Sequence, residues 1–465
     1  MRLDYRPTYT HNRARTEALT FKNAASPNFQ GASLHPETQV NASTAFYPAK
    51  PIPWAITGLN KLFSGLICKP LNFKIQCHNP EKLAALNKPG QGLILTMNHS
   101  SLADKSTLLK LCAQTSLMPL TMASLTAAGN HLPIPLIWPF LSRLGIFSVN
   151  EGNPSVKNTK RFAQNTLIKA KYPLCIFPEG KINWNNAKPG SCQKGTMQIA
   201  LNAANEGKKA MKVVPIGITY QYDSKAEKQI RKTINALEAH ILSQGKASRN
   251  LPAFKKLSQN AALQEHLNHL LEWVVRQSES ANYLNPSSYN QTERIERLRH
   301  KILSELKVEY GVNITDPALE IAGLSKAIHL RQHNHKRPPL WIMLNPWAKR
   351  RKEYKTQLQK IKTDIQKLNH VELLSSCRDA LPLKPNPDTQ MEAAYRLRYL
   401  ILNKPPHIWN VMRHCTAHIV VGEPILVAPK PDISGFMMES EILRLTRKLQ
   451  VGLENAVKQA REQSQ

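Results

Sequence analysis

The 465-residue sequence predicts an α/β fold: a layered, mostly parallel central sheet flanked by helices, with a large helical insertion before the last strand. Three short apolar runs, at 92–97, 173–177 and 212–219, are typical of strands that are buried on both faces. Helix-forming stretches lie between these runs, and strands that alternate with helices indicate a layered sheet. Hydrophobic residues make up 42% of the chain, which is enough for a packed core.

Composition divides the chain into three parts. Residues 1–45 are polar and lack apolar periodicity, so we expect a disordered basic arm there. Long, basic, helix-forming stretches fill 224–413, and strand character returns after them. We therefore predict one α/β domain made of 46–223 plus 414–465, interrupted by a basic helical insertion at 224–413.

The net charge points to an anionic partner. The chain has 63 Lys and Arg against 32 Asp and Glu, a formal charge of +31. Such a charge suits a phospholipid surface, an acidic carrier protein or a nucleic acid. Aromatic residues are only 6% of the chain and no nucleic-acid-binding motif is present, so we expect an anionic membrane surface and no nucleic acid.

Attachment to a membrane from one side is the expected arrangement. No run reaches the roughly 18 consecutive apolar residues of a spanning helix. The segments 51–71 and 132–147 are apolar but interrupted, and are predicted to dock on the bilayer. Seven scattered cysteines without C-x-x-C spacing favour a reducing compartment. We therefore predict a peripheral or monotopic protein on the cytoplasmic face of a membrane.

A candidate catalytic pair follows the first predicted strand. His99 comes directly after Asn98 at the end of that strand, where α/β sheets place reactive groups, and Asp104 lies five residues later. Histidine is the natural general base near neutral pH, and a carboxylate can hold its tautomer. Alternatively, Ser101-x-x-Asp104 is a helix-capping pattern and the histidine is structural.

A second group of polar residues follows the second predicted strand. Pro178 ends that strand and Gly180 permits a tight turn. Glu179 and Lys181 are thus expected at the same sheet edge as His99, where a carboxylate can accept a hydrogen bond from a hydroxyl and a lysine can meet a phosphate. An ordinary turn with a solvated glutamate is the alternative.

In this order, four segments resemble the motifs of the glycerolipid acyltransferase family, which includes 1-acyl-glycerol-3-phosphate acyltransferases. The matching segments are Asn98-His99-x4-Asp104, residues 144–152, Phe177-Pro-Glu-Gly180 and Val214-Pro-Ile-Gly217. Residues 421–425 are similar to the closing segment of that family. Residues 145–149 and 177–186 look closest to a long bacterial subgroup that carries a helical insertion ahead of its closing strand.

The resemblance implies transfer of a fatty acyl chain from acyl-CoA or acyl carrier protein to a glycerolipid hydroxyl, such as that of 1-acyl-glycerol-3-phosphate. No metal, cofactor or covalent intermediate is implied. His99 would be the general base and Asp104 its partner. The substrate-binding residues would be Asn98, Ser101, Phe177, Pro178, Glu179, Gly180 and Lys181.

The sequence departs from the family at two places. The second motif usually carries an arginine and the third often reads Glu-Gly-Thr-Arg, whereas here the aligned residues are Asn150-Glu151 and Lys181-Ile182-Asn183. Lys181, Lys188 and Lys194 are candidates to bind a phosphate instead, but a lysine is a point charge without bidentate geometry. Two other functions therefore stay open: a non-catalytic membrane-binding protein on an acyltransferase fold, and an acyl-thioester hydrolase.

Overall fold

A computed structural model describes residues 46–464 except for several short ranges. The ranges outside the description are 55–57, 59–67, 87, 89, 116, 125–133, 150–154, 244–253, 259, 285–288, 315–316, 336–347 and 382–384. The predicted arm at 1–45 lies outside the described residues, as do parts of both predicted docking segments.

The described strands form one eight-stranded sheet. In chain order the strands are β1 Lys74–His78, β2 Leu93–Met97, β3 Leu120–Ser124, β4 Ile146–Val149, β5 Leu174–Ile176, β6 Met211–Tyr222, β7 Cys415–Val421 and β8 Ile425–Val427. Every residue of β2 and β5 is buried, because both strands are covered on both faces.

The strand order is β1-β7-β6-β2-β5-β3-β4, and β8 also pairs with β6. Strands β2 to β6 run parallel to one another, whereas β7 and β8 run antiparallel to β6, and β1 runs parallel to β7. The predicted mostly parallel sheet is therefore confirmed. Because β2 and β5 are parallel neighbours, the residues that follow them emerge side by side at one edge of the sheet.

Helices flank the sheet on both faces. In chain order the described helices are α1 Lys69–Leu71, α2 Pro80–Leu86, α3 Asp104–Thr115, α4 Ile134–Arg143, α5 Ser155–Lys169, α6 Gly195–Gly207, α7 Ala226–Ser243, α8 Leu263–Ala281, α9 Gln291–Tyr310, α10 Pro317–His335, α11 Ala348–Ala380, α12 Pro387–Leu402, α13 Ile408–Met412 and α14 Gly435–Glu462. No helix in the described ranges combines the length and apolar character needed to cross a membrane.

Two apolar cores cover the two faces of the sheet. Leu95 of β2 belongs to one core and its neighbour Ile94 belongs to the other, as the two-residue period of a strand requires. The first core continues into the predicted insertion at 224–413, called the helical segment below. There it includes Ile230 of α7, Leu267 of α8 and Leu397 of α12. The near part of the helical segment is therefore packed into the same core as the sheet.

The distal part of the helical segment has an apolar cluster of its own. This cluster joins α9, α10 and α11 through Ile302, Leu306, Leu324, Ile328, Leu368 and neighbouring residues. The helices predicted from the sequence are thus confirmed. The domain boundaries at 223 and 414 stay predictions. The first core contains side chains from both sides of each boundary.

The three predicted strands are present as β2, β5 and β6, and β6 is longer than its apolar run. The edge strands β1 and β4, and β3 next to β4, have no counterpart among the predicted strands. None of the three has the continuous apolar run of β5, because β1 and β4 are only partly buried and β3 carries Thr121 and Ser124.

Candidate functional site

His99 and Asp104 meet at the carboxyl end of β2. Nδ1 of His99 lies 2.7 Å from Oδ2 of Asp104, the first residue of α3. Because a carboxylate can only accept, the hydrogen-bonding pattern places the imidazole proton on Nδ1 and leaves the lone pair on Nε2. No described residue is hydrogen-bonded to Nε2, and the His99 side chain is 16% exposed. The ring can therefore take a proton from a bound molecule.

Asp104 is fully buried, and donors surround its carboxylate. Oδ2 accepts from His99 and also from the backbone N–H of Ser101, at 3.0 Å. Oδ1 accepts from the hydroxyl of Tyr220 on β6, at 2.6 Å. Burial and the nearby Asp104 raise the pKa of Tyr220 well above its usual value, so the phenol stays protonated as a donor. Both oxygens of this carboxyl group, which is 0% exposed, therefore have hydrogen-bond partners within the protein.

Glu179 holds the backbone of His99. Its Oε1 accepts from the His99 N–H at 2.8 Å, and its Oε2 accepts from Nδ2 of Asn183 at 2.7 Å. Burial raises the pKa of Glu179 to about 7, against the lowering effect of hydrogen bonds from the His99 and Gly190 backbones and from Asn183, while Asp104 raises it further. The predicted proximity of the two motifs is thus present, and it comes from the pairing of β2 with β5.

The loop after Glu179 forms a second hydrogen-bonded contact with the backbone of His99. The backbone N–H of Asn183 donates to the carbonyl oxygen of His99 at 2.8 Å. Oδ1 of Asn183 accepts from the N–H of Asn185 at 2.7 Å, which stabilises the turn. His99 is therefore held through its N–H by Glu179 and through its carbonyl by Asn183.

The other predicted substrate-binding residues lie around this pair in different environments. Phe177 stacks on the His99 ring with centroids 4.4 Å apart, whereas Pro178 is buried and its carbonyl accepts from Gln193. Gly180 is exposed and has φ +75°, which favours glycine. Lys181 is exposed and forms an ion pair with Glu372 of α11.

Asn98 and Ser101 occupy supporting positions. The amide of Asn98 is buried, and it donates to the carbonyl of Ile218 at 2.9 Å and accepts from the Ile218 N–H at 2.7 Å. Ser101 is buried, and its hydroxyl accepts from the N–H of Ala103 at 3.1 Å. Both residues fix the loop that carries His99, and substrate contact by either one stays a prediction.

Sequence reasoning missed two residues of this network, Tyr220 and Asn183. Tyr220 occupies the face of β6 that also carries Ile216 and Ile218, so the two-residue period could have indicated a polar group aimed at the His99 side. Asn183 lies in a loop without a regular pattern. Its role depends on the path of that loop, and no local signal indicates it.

A comparison with protein families finds a match, and it covers most residues of the candidate site. Residues 74–219, which run from β1 into β6, match the family model described as Acyltransferase. No curated protein matches the chain. The matched residues include His99, Asp104 and Glu179, and the match supports acyl transfer as the general activity of this part of the chain.

Proposed function

We propose that this protein transfers a fatty acyl chain from an acyl thioester to a hydroxyl of a glycerolipid acceptor, with His99 as the general base and Asp104 as its partner. The observation that carries the proposal is the 2.7 Å contact between Nδ1 of His99 and a buried, fully hydrogen-bonded carboxylate. That arrangement leaves Nε2 with its lone pair and able to accept a proton.

The chemistry follows from this arrangement. The acceptor hydroxyl gives its proton to Nε2 of His99 while its oxygen attacks the carbonyl carbon of the thioester. Asp104 remains ionised and stabilises the imidazolium. The carbon–sulfur bond then breaks, and the imidazolium returns the proton to the departing thiolate. The products are an ester and a free thiol, as in transfer from acyl-CoA or from acyl carrier protein.

The proposed acceptor is a lysophospholipid such as 1-acyl-glycerol-3-phosphate. Lys181 supports this choice because it is exposed and lies two residues after Glu179. Its partner Glu372 is partly exposed, so a lipid phosphate can compete for the ammonium group. Lys194 is similarly paired with Glu439, and Lys188 is exposed.

The proposed location is the cytoplasmic face of a membrane, reached by peripheral or monotopic docking. Trp54 is 77% exposed and Phe140 is 56% exposed, one in each predicted docking segment. The backbone N–H of Ile52 donates to the carbonyl oxygen of Arg143 at 2.9 Å, which brings the two segments together at the end of α4. Exposed aromatic rings suit the headgroup region of a bilayer, and the net positive charge of the chain suits an anionic one.

The test is acyl transfer from radiolabelled acyl-CoA, and separately from acyl carrier protein, to a panel of lysophospholipids. His99→Ala and Asp104→Asn should each lower kcat by about 10²-fold or more, because each removes proton transfer or its support. Tyr222→Phe is the matched control. This tyrosine lies two residues after Tyr220 on β6, but its hydroxyl donates to the carbonyl of Val411, so kcat should stay near the wild-type value.

Each alternative function has its own outcome. Release of labelled fatty acid without an acceptor, at the rate seen with one, identifies a thioester hydrolase. Absence of turnover with both donors and all acceptors identifies a non-catalytic protein. Wild-type rates of acyl transfer in His99→Ala would exclude His99 as the general base.

A further inference from the structure

A buried arginine of the helical segment is bonded to the loop of the candidate site. Arg396 of α12 is 1% exposed. Its Nε and Nη2 donate to the carbonyl oxygen of Trp184 at 2.9 and 2.6 Å, and its Nη1 donates to the carbonyl of Ser376 at 2.6 Å. Nη2 also donates to Glu392 at 2.8 Å. All three guanidinium nitrogens are thus engaged within the protein, so this arginine cannot replace the missing phosphate-binding arginines of the motifs.

The loop that Arg396 holds has an unusual backbone conformation. Trp184 has φ +55°, a left-handed conformation that is unfavourable for a non-glycine residue, and its ring is buried. The next contact is at Asn186, whose N–H donates to Glu392 at 3.2 Å. The side chain of Asn186 bonds both the N–H and the carbonyl of Tyr220, at 2.7 and 2.6 Å. The loop is therefore held between α12 and β6.

The same loop is hydrogen-bonded to His99 through Asn183. Asn183 directly precedes Trp184, and it bonds the carbonyl of His99 through its backbone and Glu179 through its side chain. An unbroken series of contacts thus runs from Arg396 through Trp184 and Asn183 to His99.

We propose that Arg396, assisted by Glu392, is a positioning residue: the helical segment sets the orientation of His99 by holding residues 183–186. This inference rests on the proposed function for its effect on catalysis. A general base must lie within hydrogen-bonding reach of the hydroxyl, and a displacement of about 1 Å can cost about 10²-fold in rate.

The substitution Arg396→Lys tests the proposal. A lysine keeps the charge but cannot bond the Trp184 carbonyl through a planar fork while also reaching Ser376. We expect kcat to fall by about tenfold or more with little change in KM, because binding of the lipid does not depend on the angle of the imidazole.

Arg294→Lys is the matched control. Arg294 is also buried in the helical segment and forms a bidentate pair with Glu279, at 2.9 and 2.6 Å, but it does not contact the loop. This variant should lower the melting temperature and leave kcat within about twofold of wild type, since its carboxylate partners lie away from His99. An equal loss of kcat in both lysine variants would show that Arg396 acts only through the overall stability of the protein, and this would overturn the proposal.

A double-mutant cycle with Asn183→Ala tests whether Arg396 acts through the loop, because this substitution removes the side-chain bonds of Asn183 to Glu179 and to the N–H of Asn185. If it does, Arg396→Lys should cost at least about threefold less in kcat when Asn183 is already alanine. Additive losses would overturn the proposal.

Hydrogen exchange provides a readout that needs no turnover. Amides of 181–190 should exchange faster in Arg396→Lys than in wild type, and at the wild-type rate in Arg294→Lys. Unchanged exchange in Arg396→Lys rejects the proposal. If exchange is faster but the protein shows no acyl transfer, Arg396 does hold the loop and only the proposed function is wrong. Failure of this inference and failure of the proposed function therefore give different results.

Discussion

At the scale of single residues, Asp104 performs two tasks that the sequence presents as alternatives. The pattern Ser101-x-x-Asp104 predicts either a helix cap or the partner of a catalytic histidine. Oδ2 of Asp104 accepts from the Ser101 N–H and from Nδ1 of His99 at the same time, and Oδ1 remains for Tyr220. Both contacts can form together because a carboxylate offers about four lone pairs, and a catalytic role for the pair stays a proposal.

Two carboxyl groups near the loop, the buried Glu179 and the mostly buried Glu392, are expected to make stability depend on pH. Burial raises the pKa of Glu392 from about 4.5 to about 7, against the lowering effect of Arg396, and Glu179 is shifted in the same direction. A folded-state pKa above the unfolded value means that the folded state keeps a proton that the unfolded chain releases. This contribution to stability is therefore complete below about pH 4.5 and is lost as the pH rises through 7.

We predict that Glu392→Gln flattens the fall in the free energy of unfolding between pH 5 and 8, measured by urea unfolding at a series of pH values. The slope is the readout, since the substitution also removes an acceptor for Arg396. Glu441→Gln is the control. Hydrogen bonding to Arg444 lowers the pKa of Glu441 to about 2, so its contribution changes only below about pH 4.5. Parallel curves for wild type and Glu392→Gln would contradict the prediction.

At the scale of elements, β6 organises the site. One of its faces presents Tyr220 to Asp104, and its backbone at Ile218 receives the amide of Asn98. On its other face, Gly217 lies against the backbone of α14, where a Cβ atom would overlap Ala456 and Val457. Gly217 closes the fourth family-like segment, and the close approach of a strand and a helix accounts for a glycine there.

We predict that Gly217→Ala lowers the free energy of unfolding by about 2–3 kcal/mol, because backbone atoms of α14 must move to admit a methyl group. Gly195→Ala, at the start of α6, is the control. A methyl group at Gly195 would meet no other atom within 4 Å, so the change should stay within about 1 kcal/mol. Denaturant unfolding of both variants measures the difference, and equal stabilities would show that α14 moves without cost.

At the scale of the whole molecule, the sheet and the near helices fold as one body of packed side chains. Their shared core and the bonds of Arg396 join residues more than 200 positions apart. The formal charge of +31 belongs to the whole chain, and the exposed aromatic rings of Trp54 and Phe140 lie in adjoining segments. Each basic residue near an anionic surface contributes about 1 kcal/mol to attraction.

We predict that the protein co-sediments with anionic vesicles and much less with zwitterionic ones. A Trp54→Ser, Phe140→Ser double variant should lose at least about half of this recovery, because the rings add apolar contact to the electrostatic attraction. Phe436→Ser removes a similarly exposed ring from α14 and should leave recovery unchanged. Equal recovery on both kinds of vesicle, or full recovery of the double variant, would reject docking through these segments.

The sequence by itself determined the α/β class, the central strands, the long helices and the grouping of His99 with Asp104 and Glu179. These features depend on local periodicity and on the rule that parallel neighbouring strands end at one edge. Tertiary structure alone decided that Tyr220 completes the shell of Asp104, that Asn183 holds the His99 carbonyl, and that Arg396 reaches the loop from the helical segment. Each of these bonds joins residues 84 to 212 positions apart along the chain. Their pairing depends on how strands and helices pack. The two-residue period of β6 indicates the face that Tyr220 occupies, but no local pattern of the chain names the partner of any of these residues.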